Sequence, residues 1–366
     1  MNIITIIGAR PQFIKAAMVS RAIAAHNQRA DRDEIKETII HTGQHYDTNM
    51  SEIFFRELNI PAPEVNLNIG SGSHGDTTGR MLAAIEKELM HRRLDRVLVY
   101  GDTNSTLAGA LAAAKLNIPV AHAEAGLRSF NRRMPEEINR VMTDHLSDML
   151  FCPSPTAVEN LAAEGITQSV HLVGDVMYEA LMHAVNIADI KSHILTELEL
   201  NAGEYVLSTI HRAENTDNPP KLKELMKALV QVSQKHPVIF PLHPRTRDRL
   251  DLLSHGFPAL KYHGLRLLEP VGYLDMVQLE KNAKVILTDS GGIQKEAYWL
   301  QVPCVTLREE TEWVETVDQG WNVLTGTDPD RILPAVLTPA TPDGFVDIYQ
   351  GNGSVERILQ VLLKKI

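Results

Sequence analysis

Short runs of apolar residues alternate along the chain with longer segments of mixed polarity. Ile3–Ile7 reads as a strand and Phe13–Ala25 as a helix. Thr38–His41 and Arg96–Tyr100 (RVLVY) are further strands, the second followed by an alanine-rich helix over Ser105–Leu116. Pro119–Ala123, Met149–Cys152 and Val170–Val173 continue the strands, with a helix over Pro135–Leu146. Strands that are apolar throughout, and separated by helices, mark a parallel sheet covered on both faces. The pattern then restarts. Tyr205–Ile210 (YVLSTI), Val238–Leu242, Lys284–Thr288 and Val302–Leu307 are strands, and Lys221–Lys235 and Gly291–Leu300 are helices. Between the two halves, residues 176–203 are helical and charged and carry the linker. At the end, Val355, Ile358, Leu359 and Leu362 recur at helical spacing within Ser354–Lys365. The fold class is therefore α/β, with two doubly wound Rossmann-like domains facing a cleft.

Length agrees with this duplication: 366 residues correspond to two domains at roughly 150 residues each. Hydrophobic residues make up 44% and charged residues 22%, the balance of a globular protein, which excludes a disordered or fibrous chain. The net charge of −10 has the wrong sign for a nucleic-acid binder. Two cysteines, Cys152 and Cys304, sit in apolar runs and read as reduced, buried thiols. The first residues carry no signal-peptide pattern, and no apolar stretch approaches the ~20 residues of a membrane span. A soluble, cytoplasmic protein is expected.

Ligands of open α/β sheets bind beyond the C-terminal strand ends, so the residues that follow each strand are the candidates. Gly8-Ala9-Arg10-Pro11 follows the first strand. Gly8 suits a tight turn and Pro11 the first turn of a helix. Arg10 and Lys15 then lie beside a positive helix end, an anion site or else ordinary surface cations. Asp102, in Gly101-Asp102-Thr103-Asn104-Ser105, ends a strand as a site carboxylate or a helix cap. Glu124, in His122-Ala123-Glu124-Ala125-Gly126-Leu127-Arg128, is costly at an apolar strand exit unless partnered. Arg128 or Arg132 would be the structural partner. In Met134-Pro135-Glu136-Glu137 the acids fit a helix start, which accounts for Glu137 and leaves Glu136 open. In the second half, His211-Arg212 follows a strand and suits phosphate binding or acid/base work. His243, in Leu242-His243-Pro244-Arg245, holds a similar place. The sharpest motif is Thr288-Asp289-Ser290-Gly291-Gly292-Ile293-Gln294-Lys295-Glu296. A strand there runs into bare glycine amides at a helix start, where a diphosphate can approach. Glu296, one turn in, can accept from ribose hydroxyls. Metal readings fail: His122-Ala123-Glu124 lacks the accompanying cysteine pair, and no H-E-x-x-H or C-x-x-C is present.

With these residues assembled, the chain resembles the non-hydrolysing UDP-N-acetylglucosamine 2-epimerase family. The matching stretches are GARPQFIKAA, HTGQHYD, VLVYGDTNSTLAGALAA, HAEAGLRSF, MPEEINR, TIHRAEN, PLHPRTR, TDSGGIQKEA and TEWVE. The wording GARPQFIK, together with TEWVE, is similar to the branch containing UDP-2,3-diacetamido-glucuronate 2-epimerases. The resemblance implies a glycosyltransferase-B type fold, with domains over 1–172 and 173–350 and a C-terminal helix, 351–366, returning to the first domain. It also implies a homodimer, a UDP-amino-sugar substrate, no cofactor and a role in surface-polysaccharide biosynthesis. Arg10 and Lys15 would then contact the substrate. Asp102, Glu124 and Glu136 would be the catalytic carboxylates, with His211 facing the diphosphate. Ser290, Gly291 and Gly292 would hold the phosphates and Glu296 the ribose, with Arg212 and His243 beside them. Arg128, Arg132 and Arg133 would lie on the sugar side, where a uronate needs a cation, unless they form a solvated basic face. Two departures stand out. Trp313 replaces an arginine of the commoner branch. Gln44-His45 is followed by Tyr46-Asp47, not by the further glutamine or glutamate of members with an activating second site.

The implied chemistry has two demands. A pyranose C2 proton is not acidified by a neighbouring carbonyl, so its removal is coupled to departure of UDP through an oxocarbenium-like state. The departing diphosphate needs cations and helix dipoles. Proton transfer on opposite faces of C2 needs two acid/base groups, and crowded carboxylates can keep one protonated. A glycosyltransferase, a hydrolysing epimerase or a UDP-sugar sensor on the same fold are the competing readings.

Overall fold

A computed structural model describes residues 1–29, 33–43, 62–253 and 264–364, the side chains of Arg10 and Leu253 excepted. Gln44–Asp47, the candidate activating segment, lies outside the described residues. Two compact units are formed, Met1–Met182 with Ile348–Ile366, and His183–Asp347.

The first unit runs β1 (Asn2–Ile7), α1 (Arg10–Asn27), β2 (Lys36–His41), β3 (Val65–Asn66), α2 (His74–Met90), β4 (Arg96–Tyr100) and α3 (Asn104–Lys115). It continues with β5 (Val120–Ala123), α4 (Pro135–Leu146), β6 (Met149–Cys152), α5 (Pro155–Ala163), β7 (Val170–Leu172) and α6 (Val176–Lys191). The division between the units falls inside α6, whereas the sequence reading placed it at residue 172. The strands form one parallel sheet in the order β3-β2-β1-β4-β5-β6-β7. Ile4, Ile6, Val97 and Val99 pack with Met81, Ile85 and Leu89 of α2, and each such side chain contributes roughly 1.5–3 kcal/mol on burial. Helix α3 lies close against the sheet because its inner residues are small. A methyl group at Gly109 would stand 2.9 Å from Ile6 Cδ1.

The second unit runs α7 (Ile194–Glu197), β8 (Val206–Thr209), α8 (Ala213–Thr216), α9 (Pro219–Ser233), β9 (Val238–Pro241), α10 (Pro244–Leu253) and β10 (Leu265–Leu268). It closes with α11 (Tyr273–Lys281), β11 (Val285–Thr288), α12 (Gly291–Trp299), β12 (Cys304–Thr306), α13 (Val314–Asp318), β13 (Asn322–Leu324) and α14 (Pro329–Leu337). Its parallel sheet has the order β10-β9-β8-β11-β12-β13. Val206, Phe240, Val285 and Leu287 pack with Leu222, Leu225 and Leu229 of α9. In both sheets the first strand of the unit has neighbours whose connections leave in opposite directions. That is the doubly wound order, with a topological switch point beside β1 in one unit and β8 in the other.

The last helix, α15 (Ser354–Leu362), belongs to the first unit and packs on α1. Both of its ends are tied there. The Glu179 carboxylate accepts from Ser354 Oγ (2.8 Å) and Val355 N (2.9 Å). Arg96 donates to the carbonyls of Leu362 and Lys364. No described helix is long and apolar enough to cross a membrane. Cys152 and Cys304 are free and buried, and burial pushes both thiols up to about 12.

Candidate active site

The first unit's switch point is held by Gln12. Its Oε1 accepts from Gly8 N (2.8 Å) and Ala9 N (3.0 Å), reaching back over the start of α1. Its Nε2 faces Tyr100 O (2.7 Å), Thr103 Oγ1 (3.0 Å) and Thr106 Oγ1 (2.9 Å). One buried amide thus joins the loop after β1 to the loop after β4. Gly8 is needed for close approach, not for a left-handed turn. A Cβ there would stand 2.1 Å from Ser105 Oγ and 2.2 Å from Thr42 Oγ1.

Asp102 follows β4 and is not the cap of α3. Thr103 has that role, accepting from Thr106 N (3.3 Å). Asp102 instead pairs with Arg140 Nη2 at 2.6 Å, and Asn139 Nδ2 holds its carbonyl at 2.9 Å. Protein surrounds the Asp102 carboxyl on most sides, yet 34% of the side chain faces solvent. Burial raises its pKa above the ordinary value; Arg140 opposes the rise, Glu124 adds to it and Lys15 opposes it. Asp102, Glu124, Lys15 and Arg140 are therefore one electrostatic cluster.

Glu124 follows β5 with its backbone in the left-handed region, φ 71°. A non-glycine residue there is strained. Its carboxylate pairs with Lys15 of α1, both side chains largely buried. The sequence reading had offered Arg128 or Arg132 as structural partners, and the structure replaces them with Lys15. Arg128 is itself buried, bound to Asp144 at 2.7 Å and to Glu164 at 2.6 Å and 2.8 Å. It is not an exposed cation available to a uronate. Glu136 lies half-buried at the start of α4 and has no hydrogen bond or ion pair among the described residues. Glu137 does more than sit at a helix start. It accepts from Ser129 N (2.9 Å), Ser129 Oγ (2.8 Å) and Phe130 N (3.0 Å), and pairs with Arg140 at 3.0 Å. Arg10 opens α1; its side chain is outside the described residues.

In the second unit Asp289 is the organiser. This fully buried carboxylate accepts from His211 N (3.0 Å), Arg212 N (3.0 Å) and Asn215 Nδ2 (3.0 Å). It shapes the loop after β8 and faces His211 Nδ1 at 3.4 Å. Burial lowers the His211 pKa; Asp289 opposes this, while Arg212 and Arg245 reinforce it. His243 lies beside His211, ring centroids 5.4 Å apart. Ser290 precedes α12 without a side-chain cap, so the first amides of that helix have no cap from it. A Cβ on Gly291 would stand 2.2 Å from Glu312 Oε1, whereas one on Gly292 would meet only Ser290 Oγ at 3.8 Å. The open approach is over Gly292. Glu296 is buried one turn further on. The Arg212 guanidinium lies 3.9 Å from Glu312. Lys295 Nζ lies 3.8 Å from the centroid of Trp313, the ring at the departure noted in the sequence.

Gln12, Arg140 and Asp289 were missed as site residues by sequence reasoning. Asp289 alone carried a signal, as an acid directly before Ser-Gly-Gly at a strand exit. Among the described residues no group of three or more His, Cys, Asp or Glu side chains is arranged to hold a metal ion.

This arrangement can accept an anion at helix starts and move a proton between carboxylates. Known proteins of similar sequence and fold have a consistent description. The family model described as UDP-N-acetylglucosamine 2-epimerase matches residues 27–363. A "UDP-N-acetylglucosamine 2-epimerase homolog" of Methanococcus maripaludis is 54% identical over 365 residues, 99% of each chain. The UDP-2,3-diacetamido-2,3-dideoxy-D-glucuronate 2-epimerase of Pseudomonas aeruginosa is 47% identical over 370 residues, 100% of each. The crystal structure of Methanocaldococcus jannaschii UDP-GlcNAc 2-epimerase, in complex with UDP-GlcNAc and UDP, superimposes with a TM-score of 0.90 at 44% identity, covering 99% of both chains. On a match of this extent in both sequence and fold, the chain is an isomerase belonging to the UDP-N-acetylglucosamine 2-epimerase family.

Proposed function

We propose that this enzyme inverts C2 of a UDP-2-acetamido sugar, of the UDP-GlcNAc to UDP-ManNAc type, by eliminating and re-adding UDP. The observation that carries the reading is the cluster of Asp102, Glu124, Lys15 and Arg140 at the first unit's switch point. Two carboxylates with different environments are what proton removal and return at one carbon need. Glu124, paired with Lys15, and Asp102, paired with Arg140, are the two proton-transfer groups, one taking the C2 proton and the other returning it on the opposite face. Glu136 is the third carboxylate, free to turn toward substrate.

The steps balance without an oxidant. The C1–O bond to the diphosphate breaks and its electron pair leaves on UDP. The C2 proton passes to a carboxylate, and a C1=C2 double bond forms, giving a glycal. UDP then adds back to C1 while C2 takes a proton on the opposite face. Arg10 and Lys15 contact the substrate. His211, Arg212, His243 and the amides of Ser290–Gly292 stabilise the departing diphosphate, and Glu296 accepts from the ribose.

A second substrate, UDP-2,3-diacetamido-2,3-dideoxyglucuronate, is supported by the full-length identity to the Pseudomonas aeruginosa enzyme. Arg128 is buried, which leaves Arg132 and Arg133 as the exposed cations of that loop. The test is incubation with each UDP-sugar separately in deuterated water. Deuterium at C2 of intact UDP-sugar supports the epimerase and names the substrate. Free sugar points to hydrolysis, and absence of exchange with both substrates rejects the proposal. Asp102→Asn and Glu124→Gln are expected to lose activity by roughly 100- to 10,000-fold and still bind UDP. Normal epimerisation by either variant removes that residue from the catalytic set.

A further inference from the structure

The turns that carry the two proposed catalytic carboxylates are joined by a histidine. His122 lies in β5, fully buried. Its Nε2 donates to the carbonyl of Gly101 at 2.7 Å, the residue directly before Asp102. Its Nδ1 faces Asp144 Oδ1, also at 2.7 Å. The other oxygen of Asp144 accepts from Gly126 N at 3.1 Å and from Arg128 Nη1 at 2.7 Å. Asp144 thereby grips the chain on both sides of Glu124, at residues 122 and 126. Between those grips Glu124 takes its left-handed conformation, with its own N–H and that of Ala125 both donating to Phe151 O at 3.1 Å and 3.0 Å. Gly101 is also left-handed (φ 65°), and a Cβ there would stand 3.2 Å from Glu124 Oε2. The two turns are therefore packed against each other, and one imidazole spans their bases.

We infer that His122, backed by Asp144, is a positioning residue that sets the spacing and aim of Asp102 and Glu124 toward the sugar C2. This rests on the reading that those two carboxylates move the proton. The ring holds both groups at once, one nitrogen on the Gly101 carbonyl and the other on the Asp144 carboxyl. Glutamine at this place reaches one acceptor and releases the other. The backbone turn it releases relaxes, and a misplacement of about 1 Å is worth roughly 100-fold in rate.

The test is His122→Gln, assayed beside Asp102→Asn and Glu124→Gln with the same UDP-sugar. The expected result is a kcat lowered about 10- to 100-fold, with KM and UDP affinity within about threefold of wild type. A merely structural role would instead lower the folded fraction, reducing kcat and UDP-binding stoichiometry in parallel. That outcome, or a wild-type kcat, overturns the inference. If the two carboxylate variants remain active, the functional reading fails first; if they are inactive while His122→Gln is not, this inference alone fails. Where His122→Gln folds only in part, His122→Asn is assayed in the same way: a lowered kcat at unchanged KM and full UDP-binding stoichiometry supports the role, and a wild-type kcat or a parallel loss of both refutes it.

Discussion

Glu124 holds a backbone conformation that costs a non-glycine residue about 1–2 kcal/mol, and it does so directly beside its partner Lys15. Strain of this kind persists only where the surroundings over-determine it. Here they do, through Phe151, Asp144 and the Gly101 turn. Gly8 makes the complementary point. It was legible as a turn residue, but its actual constraint is the 2.1 Å and 2.2 Å that a methyl group would leave to Ser105 and Thr42. Gly8→Ala is therefore expected to cost about 1–3 kcal/mol of stability, and activity with it, because α1 and Lys15 must shift. Denaturant unfolding with an activity assay checks this. An alanine variant as stable and active as wild type would show that the loops are not packed as described. Arg140 had no readable role in the sequence, since 38 residues separate it from Asp102.

Helices and strands divide by how much of their pattern survives in one dimension. Buried central strands such as β4 (RVLVY) and β11 (VILT) are apolar but for one end residue and were legible. Edge strand β3 is two residues long, too short for any periodicity. Helix α2 was missed because Gly75, Gly79 and a polar first turn conceal its buried stripe, Thr77, Met81, Ile85 and Leu89. Helix α15 was visible from its stripe, but its ties were not. Arg96 and Glu179 lie far from it in sequence. Its contribution is testable through Ile358, which is fully buried. Ile358→Ala is expected to cost about 2–5 kcal/mol, measured by urea unfolding. A loss well below 1 kcal/mol would mean that the helix is dispensable to the first unit.

At the scale of the whole molecule, two sheets of the same doubly wound order each place their functional loops beside a switch point. The net charge of −10 says little about the substrate, since the site chemistry is local. The buried charges of the first unit predict its acid response. Burial pushes the Asp144 carboxyl up, but His122 and Arg128 outweigh this and hold it below the ordinary value. A carboxyl depressed in the folded state contributes stability above its unfolded value of about 4. That contribution is lost as pH falls through the folded value. Asp144→Asn, which breaks a buried pair, is expected to cost about 3–5 kcal/mol at pH 7. Its Tm deficit should narrow between pH 5 and pH 3. A deficit constant across that range would show that the Asp144 charge is not what stabilises the fold.

The α/β class, the duplication and the family were legible along the chain. Strand burial and strand-end motifs are local signals, carried within ten or so residues. Partnerships emerge in three dimensions: Glu124 with Lys15, Asp102 with Arg140, Arg128 with Asp144 and Glu164, and Asp289 with His211. A buried charge can be recognised along the chain as costly. Which opposite charge offsets that cost depends on which strands lie side by side, and that neighbourhood exists only once both sheets have formed.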